Sequence, residues 1–379
     1  MKLIFYSSIF ILIYVYFLYP FSLWVISKIS NRNFEKQNLL LPVTIIITAY
    51  NEERNIKKTI LNKLRLVYPK NLMEVIVVSD GSNDETDKIV QSIKDPRVKL
   101  IRQNPRSGKT AALNLAVSEA KGEIIIFSDA NSDFEKNVLI HLIDSFSDMK
   151  VGYVTGKMIY VNENGSIIGD GCSTYMKYEN LLRSLETKIG SIVGVDGGID
   201  AMKKSLYVNM RPDQLPDFIL PLKVVEQGYR VIYEPQAILR EETLNDVKSE
   251  FKMRIRVSLR AFWAIWDMRN ILNINKFKLY SWQLFSHKLL RYFVFLFLIL
   301  LFSSNLFLLN EGGFFILLFS LQSIFYLFAL LGFALDRLKF KTKLFYIPYY
   351  FSLINCAAGI AFIKFLFRKK QIMWQPRIG

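Results

Sequence analysis

Glu123-Ile-Ile-Ile-Phe-Ser-Asp-Ala-Asn131 is a short apolar run that stops abruptly at Asp129 and Asn131. Its length, and the Lys121-Gly122 turn ahead of it, read as a buried parallel strand. A carboxylate and an amide then stand together at the strand's C-terminal end, the edge at which open α/β sheets bind ligands. Two oxygen ligands in that place suit Mg²⁺ or Mn²⁺ holding a diphosphate. Taken alone, the stretch reads equally well as a strand followed by an Asx turn.

Upstream, the same design recurs. Pro42–Thr48 is a β-branched strand run followed by Ala49-Tyr50-Asn51-Glu52-Glu53, and a helix is expected from Asn55 to about Leu66. Glu74–Ser79 is a second strand, running into Asp80-Gly-Ser-Asn-Asp-Glu-Thr86 and an acid-rich helix start capped by Ser82 or Asn83. Arg97–Ile101 is a shorter strand, followed by Asn104-Pro-Arg-Ser-Gly-Lys-Thr110 and an alanine-rich helix from Ala111 to Ala120. Strands alternating with helices predict right-handed βαβ units, hence an α/β fold with a mostly parallel, Rossmann-like sheet. Glu52, Asp80 and Asp129 then fall along one sheet edge, as a nucleotide site requires. Ser107-Gly-Lys-Thr110 is not a Walker loop, because the glycine needed five residues before Gly108 is Gln103. Arg106 and Lys109 are instead expected to contact the nucleotide through charge-assisted hydrogen bonds.

Apolar residues make up 51% of the 379, yet 22% are charged, and the two classes are segregated. Leu3–Ser27, Tyr292–Leu309, Phe314–Leu335 and Leu344–Ile363 carry no charge, and each approaches the ~20 residues a membrane-crossing helix needs. The first is longer than a signal-peptide core and lacks an Ala-x-Ala-like site, so it reads as an uncleaved anchor. Lys28, Arg32 and Lys36 follow it and place the soluble region in the cytoplasm of a multi-pass cell-membrane protein. The +16 net charge crowds beside these segments and points to anionic lipid headgroups and a diphosphate rather than to nucleic acid. Cys172 and Cys356, the only cysteines, have no metal-ligand spacing and fit a reducing compartment. His141 and His287 are read as surface and interface residues. The organisation expected is an anchor at 1–28, a catalytic domain at 40–245, amphipathic interface helices at 246–290, and membrane helices with a tail at 291–379.

The order Thr48-Ala-Tyr-Asn-Glu-Glu53, Val78-Ser-Asp-Gly-Ser82, Asn104-Pro-Arg-Ser-Gly-Lys109 and Ser128-Asp-Ala-Asn131 resembles membrane-bound family-2 glycosyltransferases of the cellulose, poly-N-acetylglucosamine and hyaluronan synthase type. The likeness runs on through Asp196-Gly-Gly, Leu215-Pro-Asp-Phe218 and Gly228-Tyr-Arg-Val-Ile-Tyr-Glu-Pro235, covering about residues 42–260. Each motif is short; it is their order that is specific. The resemblance implies a GT-A fold and inverting transfer from a nucleotide sugar, UDP-linked, to a glycan or lipid-linked acceptor. It implies that Asp80 bonds the uracil, that Tyr50 and Glu52 contact base and ribose, and that Asp129 binds metal or diphosphate. Asn131 stands where the family's D-x-D pattern has a second carboxylate, which lowers the charge offered to a metal. Asp217 matches the family's general base, which takes the acceptor hydroxyl proton. Asp196, Gly197 and Gly198 match an acceptor-side loop, with Asp196 against sugar hydroxyls; a plain turn is the alternative.

Lys252–Asp267 interleaves arginines with large apolar residues, as in a helix lying at the headgroup plane. Polymerising family members carry Q-x-x-R-W here. Met253-Arg-Ile-Arg-Val257 keeps only Arg256, expected against the diphosphate or the surroundings of Asp217, and loses the tryptophan on which an acceptor sugar stacks, a role left open to Trp263 or Phe262. That departure favours single transfers over processive synthesis, the alternative, and a nucleotide-binding scaffold without transfer is the non-enzymatic one. The tail Lys369–Arg377 resembles a W-x-x-R element closing over bound nucleotide, with Trp374 and Arg377 cytoplasmic. Three crossings after the soluble domain would leave that tail outside, so Leu344–Ile363 reads either as re-entrant or interfacial, or as an ordinary last span with an outside tail.

Overall fold

The computed structural model describes residues 1–30, 37–161, 167–242, 247–337 and 343–371. Its centre is an eight-stranded sheet ordered β3-β2-β1-β4-β7-β6-β8-β5. The strands are β1 Val43–Ala49, β2 Met73–Asp80, β3 Val98–Gln103, β4 Ile124–Asp129, β5 Asp133–Phe134, β6 Val151–Val161, β7 Ile199–Lys203 and β8 Arg230–Glu242. The four strands expected from sequence form the parallel half, β3-β2-β1-β4. Beyond β4 the sheet is mixed: β7 is antiparallel to both β4 and β6, β8 is parallel to β6, and β5 is antiparallel to β8.

Why β1 and β4 read as unbroken apolar runs is plain from their burial. Side chains alternate across a strand, and here both faces are covered. Ile45, Ile47, Val75, Val77 and Ile126 point into one core, and Ile46, Ile76, Val78, Ile125 and Phe127 into the other. Register then fixes the polar ends. Thr48 lies beside both Val78 and Asp129, and Asp80 beside Gln103, so the polar strand ends emerge on one edge.

The helix after β2 begins at Thr86, later than the sequence suggested. Neither Ser82 nor Asn83 caps it: Glu85 holds the N-cap position without a side-chain cap, and Asp84 Oδ1, one residue earlier, accepts the Thr86 amide at 3.0 Å. Ser82 is used across the edge instead, accepting the Asn51 amide at 3.1 Å. The loops after β1 and β2 are thereby tied together.

Three helices, Lys2–Ile29, Gly313–Asp336 and Leu344–Leu366, are long and apolar enough to cross a membrane. The segment expected as Tyr292–Leu309 is different. Leu279–Tyr292 and Val294–Leu306 meet at a 58° bend and make a fourth span only if taken together. The irregular segment is therefore this one; Leu344–Leu366 is a single helix of 23 residues, with no break to make it re-entrant. The chain beyond it returns to the soluble domain, where Lys370 pairs with Asp213 at 2.5 Å and the Trp263 indole donates to the Lys369 carbonyl at 2.9 Å.

The helix Val247–Asp267 does not simply lie along a surface. Leu259, Ala261, Phe262, Ala264 and Ile265 are buried, and Phe262 packs on Phe362 and Phe365 of the last helix. It is clamped between the soluble domain and the membrane helices.

Candidate active site

The parallel strand ends, the start of helix Pro216–Glu226 and helix Val247–Asp267 enclose a pocket of about 340 Å³. Of the residues expected from sequence, Glu52, Lys109, Asp129, Asn131, Asp196, Asp217 and Arg256 all line it. Lys109, at the start of helix Lys109–Glu119, places its ammonium 2.5 Å from Asp129 Oδ1. Burial alone would lower the Lys109 pKa, but Asp129, Asp217 and Asp200 outweigh it and hold it above the ordinary value. Glu52 is buried, which raises its carboxyl pKa, while Asn55 Nδ2 donates to it at 3.0 Å and acts the other way.

Asp80, Tyr50 and Arg106 form a group beside this pocket. Asp80 is fully buried and accepts from Gln103 Nε2 at 2.5 Å and from the Ser107 and Gly108 amides at 2.8 and 3.1 Å. It fixes the loop that carries Arg106, whose guanidinium lies 3.4 Å over the Tyr50 ring, a cation–π contact. Arg106 Nε also approaches Asp80 Oδ2, at 3.5 Å.

Asp217 sits in the first turn of its helix, behind Pro216, a residue suited to that position. Gly197 packs directly against it. At φ +79° an added Cβ would lie 2.3 Å from the Asp217 carboxylate, so both backbone and space demand glycine. Gly198 is equally confined, with Leu239 at 2.9 Å from where a Cβ would stand. Asp196 is committed to Arg183, at 2.6 Å with both side chains 4% exposed.

Four contributors were not singled out from sequence. Arg260 lies one turn after Arg256 on the same helix face, lines the pocket and donates to the Gln214 carbonyl. Burial pushes its pKa down to about 10, against the pull of Asp217. The i, i+4 spacing of the two arginines was the available signal. Glu241, on β8, is buried and lies 3.5 Å from Asn131 Nδ2. Asp200, on β7, accepts from the Tyr153 hydroxyl at 2.9 Å and the Gly197 amide at 3.0 Å. Burial is the main cause that pushes its carboxyl up to about 7.

Glu179 forms the fourth, on the membrane side of the pocket. It gathers Arg291, Lys288 at 3.6 Å and His287 Nε2 at 3.3 Å, while His287 Nδ1 lies 2.7 Å from Glu186. Burial would raise the Glu179 carboxyl, but Arg291 and Lys288 above all hold it well below the usual range. His287, expected at the interface, is buried and hydrogen-bonded between Glu179 and Glu186. Trp374 and Arg377 lie outside the described residues.

Among the described residues no three His, Cys, Asp or Glu side chains cluster closely enough to cage a cation. Asp129, Asn131 and Glu241 offer only oxygen donors to one pocket, which suits a hard divalent ion that completes its shell with phosphate and water.

Residues 44–201 match the family model described as glycosyl transferase family 2. Poly-beta-1,6-N-acetyl-D-glucosamine synthase of Staphylococcus aureus (strain COL) is 29% identical over 224 residues, 56% of this chain and 53% of that protein. A probable glycosyltransferase, YdaM of Bacillus subtilis (strain 168), is 27% identical over 237 residues, 59% of this chain and 56% of that protein. The match thus spans little more than half the length of either relative. A mannosyltransferase from Pyrobaculum calidifontis, solved in complex with GDP-Man and Mn²⁺, shares the fold at a TM-score of 0.72 and 21% identity, over 97% of this chain and 99% of that one. With the sheet edge and its acidic strand ends in place, the fold is GT-A and residues 44–201 match glycosyl transferase family 2, in a chain that carries membrane-length apolar helices and is similar over about half its length to a polysaccharide synthase.

Proposed function

We propose that this chain moves a sugar from a UDP-sugar to an acceptor hydroxyl, inverting the anomeric carbon, at the cytoplasmic face of the cell membrane. The observation that carries this reading is the meeting of Lys109–Asp129, Asp217 and Arg256 in one pocket. Tyr50, Asp80 and the loop holding Arg106 form the base and ribose end, with Glu52 at the pocket wall. Asp217 takes the acceptor proton as that oxygen attacks. Lys109, Arg256 and Arg260 face the diphosphate and stabilise the charge that develops on it as it leaves. Asp129 and Asn131, with Glu241, would hold Mg²⁺ or Mn²⁺, which supplies charge neutralisation at the phosphates when bound. Gly197 keeps the space beside Asp217 open, and Arg183 holds Asp196 where acceptor hydroxyls pass.

The synthase relative makes UDP-N-acetylglucosamine the first donor to try, and processive synthesis the second reading. Met253 and Val257 themselves line the pocket. The two departures from Q-x-x-R-W therefore fall inside the site, which supports single transfers. Purified protein in nanodiscs, offered a panel of UDP-sugars, should release UDP from one of them, stop with EDTA and recover with Mn²⁺. Failure to bind or turn over any UDP-sugar would sink the reading.

A further inference from the structure

A second cavity, of about 630 Å³, lies against the catalytic pocket. That is a volume in the range of small-molecule sites, about 300–1,000 Å³. The two share Tyr16, Tyr175, Arg291 and Ile354 as lining, so they meet at that neck. Beyond that shared neck the walls differ. The catalytic side is charged, whereas the second cavity is built by the membrane helices from residues such as Phe5, Leu298, Leu301, Leu318, Leu321 and Phe325. Its amide Gln322 is engaged, donating to the Tyr326 hydroxyl at 3.0 Å.

We propose that this cavity holds the hydrocarbon chain of the acceptor, a lipid whose head group presents the attacking hydroxyl to Asp217. The proposal rests on the transferase reading above and names its acceptor. A glycan threaded along these walls would leave buried hydroxyls without hydrogen-bond partners, at a cost an alkyl or isoprenoid chain does not incur. The neck fits an amphiphile. Arg291 lies 5.1 Å from the Tyr175 ring centre and 5.3 Å from that of Tyr178, and tyrosines place an apolar ring beside a polar tip where chain gives way to head group. Asp217 argues for a hydroxyl head rather than a bare phosphate, since an anionic phosphate oxygen needs no base. In the step itself the acceptor O–H proton passes to the Asp217 carboxylate and the oxygen bonds to the anomeric carbon. The bond from that carbon to the diphosphate oxygen breaks, and its electron pair leaves with UDP.

The test uses the full chain in nanodiscs with its active UDP-sugar and methyl, octyl and dodecyl β-glucosides as acceptors. We expect kcat/KM to rise about tenfold or more from methyl to octyl, as chain is buried. Leu321→Trp and, separately, Leu318→Trp, which fill the cavity far from the chemistry, should flatten that series and leave the donor KM unchanged. Equal rates with all three glucosides, a chain-length preference that survives both tryptophans, or bound UDP with no lipidic acceptor used would each overturn the cavity's role. Loss of UDP binding in the wild type would instead strike the transferase reading beneath it.

Discussion

The two sides of the pocket are built by different physics. On the side proposed for the donor, Asp80 and Asp129 stand at the ends of parallel strands, where the hydrogen-bond ladder sets their spacing, and Glu52 lies in the loop just past β1. Loops there are pinned by single carboxylates, as Asp80 pins 104–108. On the membrane side no ladder reaches. Position is set by ion pairs: between separate helices, Glu179 with Arg291 and Lys288; between a helix and the loop after it, Arg183 with Asp196; and within helix Val247–Asp267, Arg254 with Glu250 at 2.8 Å. The first side resists the loss of one side chain because backbone holds the rest. The second has few supports, each of them buried, and buried charges are tolerated only while paired.

The sharpest way to break this contrast is Asp217→Asn. In the proposed mechanism Asp217 serves the acceptor side of the chemistry, so kcat should fall about 10³-fold, within the range for removing a general base. UDP binding, which the proposal assigns to the strand-end residues, should hold. Calorimetric titration of UDP beside initial rates separates the two effects; a matching loss of UDP affinity would show that the halves are not independent.

Legibility in the sequence follows the same divide. A parallel strand buried on both faces announces itself as an apolar run, and its functional end as the acid that interrupts it. Val43–Ala49, Met73–Asp80 and Ile124–Asp129 therefore fell within a residue or two of expectation. Asp217 and Arg256 were legible only through motif order, and structure brought them to Asp129. Asp200, Glu241 and Glu179 were not legible, because each matters through a partner far along the chain, such as Glu179 with Arg291, 112 residues away. Strands β6 and β8 alternate too little to stand out, and the bend at Phe293 hides inside a uniformly apolar segment.

Glu179→Gln sharpens the contrast from the membrane side. It removes the negative charge that Arg291 and Lys288 share inside the protein. Breaking a buried pair from one partner costs about 3–5 kcal/mol. Thermal melts of the detergent-solubilised chain should move down accordingly, whereas Lys99→Ala, which opens the exposed pair with Glu119 on the donor domain, should move them by well under 1 kcal/mol. Equal shifts for the two would erase the distinction between ladder-held and pair-held regions.

The smallest effect lies at the seam. Asp200, on β7 where the parallel half gives way to the mixed half, holds Gly197 against Asp217 and is titratable at about 7 because burial disfavours its charge. A carboxyl whose folded pKa lies above its unfolded value near 4 binds its proton more tightly in the fold. Its contribution is full below pH 4, declines as pH rises, and is spent by about 7. Between pH 5 and 8 the wild type should therefore lose about 2–3 kcal/mol relative to Asp200→Asn, which cannot ionise. Melting both proteins at the two pH values reads this difference directly. A gap that stays constant with pH would mean that the carboxyl is already charged in the fold, and that Gly197 is held at the seam by an anion rather than by a neutral acid.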